Sequence, residues 1–249
     1  MTAFRKVYLM NLKYKSGTLF RMICIRVLCL AVMTVIFCLA GKGAYVYAAA
    51  GQARLIFSDQ GISGAEGADT DGYEIDGTTL IIQEPGTYEV AGSCSNGSII
   101  VSKKLNGVTL VLDEISLRSA DTAPLAIGGS SKVTVRLRGV SSLCDDEDPA
   151  SEETNAGFEG AAIKAKSSSQ IVFCGDGTLN IFGNAKNGIK GGSKNNITFD
   201  EGTYNVSAAN NGIVSDGSLV FHDGSYTVNA QNDGIKSVPD AAEIGRAHV

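Results

Sequence analysis

Three lysines occupy the same place in a recurring phrase. Lys164 follows Ile163, Lys190 follows Ile189 and Lys236 follows Ile235. A residue next to an inward-facing strand residue points outward. The three therefore form a basic stripe across stacked strands, interrupted where Val214 follows Ile213. Such a stripe can meet carboxylates spaced along an acidic polysaccharide. The plainer reading is that outward lysines solvate a sheet face and discourage edge pairing. A second cluster is Asp145-Asp146-Glu147-Asp148, ahead of Pro149, with Glu152 and Glu153 close behind. Hard carboxylate oxygens are what calcium takes, about six to eight around one point. The spacing of a helix-loop-helix calcium loop is absent, and the run reads equally as a solvated loop, too acidic to belong to a core. Asn187, Asn211 and Asp233 form a third set, each before a glycine. Asn and Asp accept left-handed backbone and bond the turn, so their expected role is structural.

Catalysis asks for more than these residues offer. A lyase of uronate chains needs a base for the proton α to the carboxylate, and a glycosidase needs paired carboxylates at a set separation. Arg136 and Arg138 lie in a strand run with Arg118 nearby, and none stands out as a base. His222 is the only histidine ahead of the tail. Tryptophan is absent, and Tyr88, Tyr204 and Tyr226 fall at inward positions, as core rather than sugar-stacking platforms. The residues favour a binding module over a lyase or hydrolase; a structural surface adhesin is the third possibility.

The elements that position these residues follow from repetition. Gly177-Thr178-Leu179-Asn180-Ile181, Gly202-Thr203-Tyr204-Asn205-Val206 and Gly224-Ser225-Tyr226-Thr227-Val228 say nearly the same thing. Each is followed by a small-polar stretch and an Asn/Asp-Gly-Ile turn. Ile163, Ile189, Ile213 and Ile235 are 26, 24 and 22 residues apart, and Phe173, Phe199 and Phe221 are 26 and 22 apart. Alternation within each unit is that of strands. A period of 22–26 residues with short strands and Gly/Asn/Asp turns predicts an all-β, right-handed parallel β-helix. Like residues then stack into columns at roughly 4.8 Å. Leu125-Ala126-Ile127 reads as a degenerate member of the isoleucine column, with Ile127 36 residues before Ile163. That long step implies an insertion, placed at 144–158.

The ends differ from the middle. Residues 1–50 hold seven basic residues and no acidic one, a 15-residue apolar run from Val27 to Gly41, and Ala48-Ala49-Ala50. This predicts a signal peptide and a secreted or surface protein with no membrane attachment after cleavage. Residues 51–249 then keep 14 basic against 26 acidic residues, a formal charge of −12. Nucleic acid is a poor partner for such a surface. Three cysteines remain, Cys94, Cys144 and Cys174, with no metal-type spacing, and read as buried small apolar residues forming at most one bridge. Residues 51–77 form a lead-in and 78–242 the β-helix. Residues 243–249 depart from the repeats and back-translate to a common sequencing adapter, so the native chain is expected to continue beyond them.

Taken in order, Glu84-Pro85-Gly86-Thr87-Tyr88, Val108-Thr109-Leu110-Val111-Leu112-Asp113, Ala123-Pro124-Leu125-Ala126-Ile127, the acidic insertion and the Asn/Asp-Gly-Ile coils are similar to a family. The chain resembles the secreted clostridial-type carbohydrate-binding domains with a pectate-lyase-like fold, over about 55–240. The resemblance implies a calcium-containing right-handed β-helix that binds plant cell-wall polysaccharide, including polygalacturonate-type sugars, without catalysis. Val214, where the family carries a polar or charged residue, departs from the pattern.

Overall fold

The computed structural model describes residues 52–64, 72–237 and 242–244. The chain divides into two units, Met1–Tyr47 and Ala48–Val249; the first, with the expected signal peptide, lies outside the described residues. Among its described residues the second is built almost wholly from strands, the one helical piece being a 3-10 turn at Pro149–Ser151.

Three strands recur in each repeat. Ala161–Ala165, Gln170–Cys174 and Thr178–Gly183 are followed by Asn187–Gly191, Asn196–Phe199 and Thr203–Ala208, then by Ile213–Ser215, Ser218–Phe221 and Ser225–Ala230. Each strand pairs in parallel with its counterpart one repeat on, without a register shift. The first strands of the repeats form an eight-stranded sheet; the second and third belong to a thirteen-stranded sheet joined through the long strand Asn106–Ser119. That strand turns at Glu114, whose φ is 55°.

The pairing creates the interior columns. Leu125, Ile163, Ile189, Ile213 and Ile235 follow one another in register. Phe173, Phe199 and Phe221 stack with centroids 4.9 Å apart and planes within 8°. Tyr204 and Tyr226 stack at 5.2 Å and meet the Phe column edge-on. Both tyrosines are buried, and their hydroxyls donate to the carbonyls of Glu201 and Asp223. An aromatic with a polar tip can be buried only if that tip finds a partner; here the preceding turn supplies it.

Several expectations need correction. Leu125, not Ile127, stands beside Ile163, and Ile127 pairs with Ala165. Both residues face inward, and a period of two leaves pairings two residues apart indistinguishable by pattern. Arg118 lies within strand Asn106–Ser119 rather than beside it. The Asn-Gly turns are not left-handed: none of Asn187, Asn211, Asp233 or the glycines after them has positive φ. Glycine is needed there for space. A Cβ on Gly188 would lie 2.4 Å from Val206 Cγ1, and one on Gly212 2.3 Å from Val228 Cγ1. Left-handed residues instead occupy a different column, Lys104, Ser130, Ser168 and Lys194, with φ of 64°, 62°, 63° and 58°. The residue after three of them, Ser131, Ser169 or Asn195, turns a buried polar side chain into the gap. Asn195 Nδ2 donates to Ser169 Oγ and to the Lys166 carbonyl.

The lead-in joins the sheets: Gln52–Ser58 pairs in parallel with Gly86–Cys94, and Tyr73–Asp76 runs antiparallel to Thr79–Ile82. At the other end Ala242–Ile244 pairs with Ser218–Phe221, so Glu243 and Ile244 continue the ladder that their sequence seemed to leave. Residues 245–249 lie outside the described set.

Candidate functional site

The outward face of the eight-stranded sheet carries the lysines. Lys164 is registered with Lys190, Lys190 with Val214, and Val214 with Lys236, as the repeat requires. Their surroundings differ. The Lys164 side chain is only 18% exposed; its Nζ donates to the Glu159 carbonyl at 3.2 Å and lies 3.6 Å from the Glu159 carboxylate. Burial pulls its pKa below the ordinary lysine value, against the opposing pull of Glu159. Lys236 pairs with Asp233 at 2.7 Å. Lys190 forms no ion pair among the described residues. Val214, which interrupts the stripe, is 8% exposed and forms an apolar floor between Lys190 and Lys236.

Around that floor lies a groove of about 280 Å³, lined by Lys186, Asn187, Lys190, Asn211 and Lys236 among others. A second groove of about 410 Å³ is lined by Lys103, Thr122, Ala126, Glu159 and Lys166. Ala126 and Lys190 are both registered with Lys164, so the two grooves flank Lys164 along one sheet face. Ammonium and amide donors above an apolar floor suit an anionic, hydroxylated ligand.

The asparagines brace the first groove. Asn187 Nδ2 donates to the Gly160 carbonyl at 3.0 Å, and Asn211 Nδ2 donates to Asn187 Oδ1 at 3.1 Å. Asn211 Oδ1 accepts from Asn232 Nδ2 and from the Asp233 N–H. The structural role expected for this column holds, by side-chain bonding from turn to turn.

The acidic run is arranged otherwise than its composition suggests. Asp145 is 0% exposed and Glu147 2%, so two of the four carboxylates lie inside. Asp145 ends the strand Val140–Asp145, and its Oδ1 accepts the Glu147 N–H at 2.9 Å. Both Glu147 oxygens accept backbone N–H groups, from Glu159 and Gly160, each at 2.8 Å. This clasp closes residues 146–160 into a loop, where the next repeat crosses from Gly183 to Asn187 directly. Asp146 faces Arg118 at 2.5 Å and Asn184 Nδ2 at 2.8 Å. Asp148 Oδ1 caps the 3-10 turn through the Ala150 N–H.

These donors already claim most of the oxygens a calcium ion would need. Of the quartet's oxygens, Asp145 Oδ2 alone is buried without a partner among the described residues. Among the described residues no group of three or more His, Cys, Asp or Glu is gathered to hold a metal. As arranged, the four carboxylates do not fit a calcium ion's usual oxygen shell of about six to eight. Burial pushes Asp145 up to about 7, opposed by the Glu147 N–H it accepts and helped by the Glu147 carboxylate, so near neutral pH it carries a proton much of the time.

Sequence reasoning missed the groove's other edge. Glu152 ion-pairs with Lys186, and Lys186 Nζ stands 5.6 Å above the Phe158 ring. Glu159 pairs with Lys166 at 2.5 Å. The insertion thus folds back onto the lysine face, and a repeat period says nothing of where an inserted loop comes to rest. Elsewhere, Arg54, Glu89, Asp113 and Arg138 alternate in an outward network, which accounts for Arg138. His222 Nδ1 lies 2.6 Å from Asp200 Oδ1 in an exposed pair. Cys94, Cys144 and Cys174 are free thiols.

A family model described as carbohydrate-binding domain-containing protein matches residues 76–246. The chain belongs to this family. A carbohydrate-binding domain-containing protein of Acetivibrio thermocellus is 28% identical over 165 residues, covering 63% of this chain and 53% of that protein. The chain therefore spans about half the length of the relative it matches. Among solved structures, a polysaccharide lyase-like protein from C. thermocellum superposes with a TM-score of 0.59 at 23% identity. That match covers 75% of this chain and 79% of the other, and shows a shared fold.

Proposed function

We propose that this protein is a secreted, non-catalytic carbohydrate-binding module, built on a right-handed parallel β-helix, that takes an acidic cell-wall glycan of the polygalacturonate type. The observation that carries the reading is the groove beside Lys190 and Lys236. It places ammonium groups two strand steps apart, roughly 10 Å, over an apolar floor and beside braced amides. Lys190 is free of carboxylate partners among the described residues and available to a ligand's carboxylate. The family assignment supports a polysaccharide partner, and secretion rests on the N-terminal sequence. Calcium, implied by the resemblance, would have to come from outside the acidic quartet as it is arranged. It belongs to the proposal as a bridge between glycan and surface carboxylates.

The test is isothermal titration of polygalacturonate, with neutral glycans and EDTA as further arms. Wild type is expected to bind polygalacturonate, more weakly after EDTA. Lys190→Ala with Lys236→Ala should weaken binding about tenfold or more, as removal of two charge-assisted contacts worth ~1 kcal/mol or more each implies. Unchanged affinity in the double variant removes the lysines from the site. Binding to no glycan, or release of unsaturated ends that absorb in the ultraviolet, defeats the reading.

A further inference from the structure

The two grooves on the lysine face are separated by a residue of the clasped loop 146–160. Glu159 reaches onto the sheet and pairs with Lys166 at 2.5 Å and Lys164 at 3.6 Å. Its side chain is 14% exposed, held in place because its own N–H and that of Gly160 are clasped by Glu147. One repeat further, Glu152 of the same loop occupies Lys186. Three lysines, Lys164, Lys166 and Lys186, are thus already met by carboxylates of one loop, while Lys190 is left open. Beneath Glu159 the register is unbroken: Ala126, which lines one groove, adjoins Lys164, which adjoins Lys190, which lines the other.

We propose that Glu159 and Glu152 are an internal stand-in for the ligand's carboxylates, which divides one long anion-binding cleft into two short ones and so sets the length of acidic chain the protein takes. The inference rests on the proposed function and goes beyond it by naming the specificity-determining residues. A polyanion laid along the whole face must displace Glu159 from Lys164 and Lys166. The Lys186 ammonium at Glu152 keeps its Phe158 contact when the carboxylate leaves, and so stays in position for a ligand. Carboxylate exchange at these lysines is close to neutral for short chains, which can sit in one groove alone. It penalises long ones, which must cross both.

Glu159→Gln keeps the size and the backbone clasp while removing the charge. Affinities for short and long galacturonate oligomers are measured by titration for wild type, E159Q and E152Q, with circular dichroism as a check on folding. The expected result is that E159Q binds long oligomers about fivefold more tightly, the equivalent of ~1 kcal/mol, with little change for short ones. E152Q, whose exposed side chain lies beside the first groove, should tighten short oligomers as well. Should E159Q fail to fold, E152Q alone carries the comparison. If wild type binds polygalacturonate and the folded variants bind it no differently, the inference falls and the proposed function stands. If neither wild type nor variants bind, both fall.

Discussion

Replacing Phe199 by alanine is expected to cost about 3–5 kcal/mol of stability, the range for removing a fully buried aromatic ring. Phe199 sits between Phe173 and Phe221 at 4.9 Å on either side and takes the edges of Tyr204 at 5.1 Å and Tyr226 at 5.7 Å. Each such pair adds about 0.5–1.5 kcal/mol beyond the area it buries. The void could not be filled from above or below, because the neighbouring rings are fixed by strands in register with that of Phe199. Stacked repeats hold together through nearest neighbours, so the lesion should also uncouple the last repeats from those before them. Urea unfolding followed by circular dichroism should show a lower midpoint and a broader transition. Phe182→Ala is the comparison, since Phe182 is an outward residue 38% exposed and should change the midpoint little. Equal effects at the two positions would mean that the Phe column is not what couples the repeats.

The second large effect concerns acid rather than packing. Asp145 in the folded protein is pushed up to about 7 from an ordinary 3.8 by burial, which outweighs the opposing bond from the Glu147 N–H. Below about pH 4 the carboxyl is protonated in folded and unfolded chains alike, and its contribution is fully present. Between about pH 4 and 7 the folded chain holds a proton that the unfolded chain releases, so this group's contribution falls as pH rises and is lost above about 7. The sign is opposite to that of an ordinary ion-paired aspartate, and the amount is a few kcal/mol. Asp145→Asn, which mimics the protonated acid, should be more stable than wild type at pH 8 and equal to it near pH 4. Subtracting the two pH profiles isolates Asp145 from the other carboxylates, which titrate in both. A difference that does not grow between pH 4 and 8 would show that Asp145 is ionised throughout.

Much of the fold could be read from residue spacing because its cause is local and repeated. Ile163, Ile189, Ile213 and Ile235 are fixed by the alternation within strands and by the length of one repeat, both visible in the letters. The aromatic columns were legible for the same reason. Registration of the first repeat was not, since Leu125 and Ile127 face the same way and only the packed sheet distinguishes them. The turns were misread through a sound rule wrongly applied: Asn-Gly pairs favour left-handed backbone, yet Gly188 and Gly212 are there because Val206 and Val228 leave no room for a Cβ. The candidate site was half legible. The lysine column follows from the period, whereas Glu159, Glu152 and Lys186 come to it through a loop outside the period. Composition alone placed Asp145 and Glu147 in solvent. Glu147 is buried against the N–H groups of residues 159 and 160, which no local pattern could assign to it, and Asp145 against the Glu147 N–H.

The glycine at Gly188 clears space both for Val206 of its own repeat and for the Gly212 carbonyl of the next, and the one at Gly212 does so for Val228 and the Gly234 carbonyl. Each of these two units is therefore shaped to fit itself and the unit that follows it. A gene segment copied in tandem behind either unit would bring the same glycine, and so the same clearance, to its contact with the next. Such a protein can lengthen by duplication, and each added copy would extend its outer face by one more step.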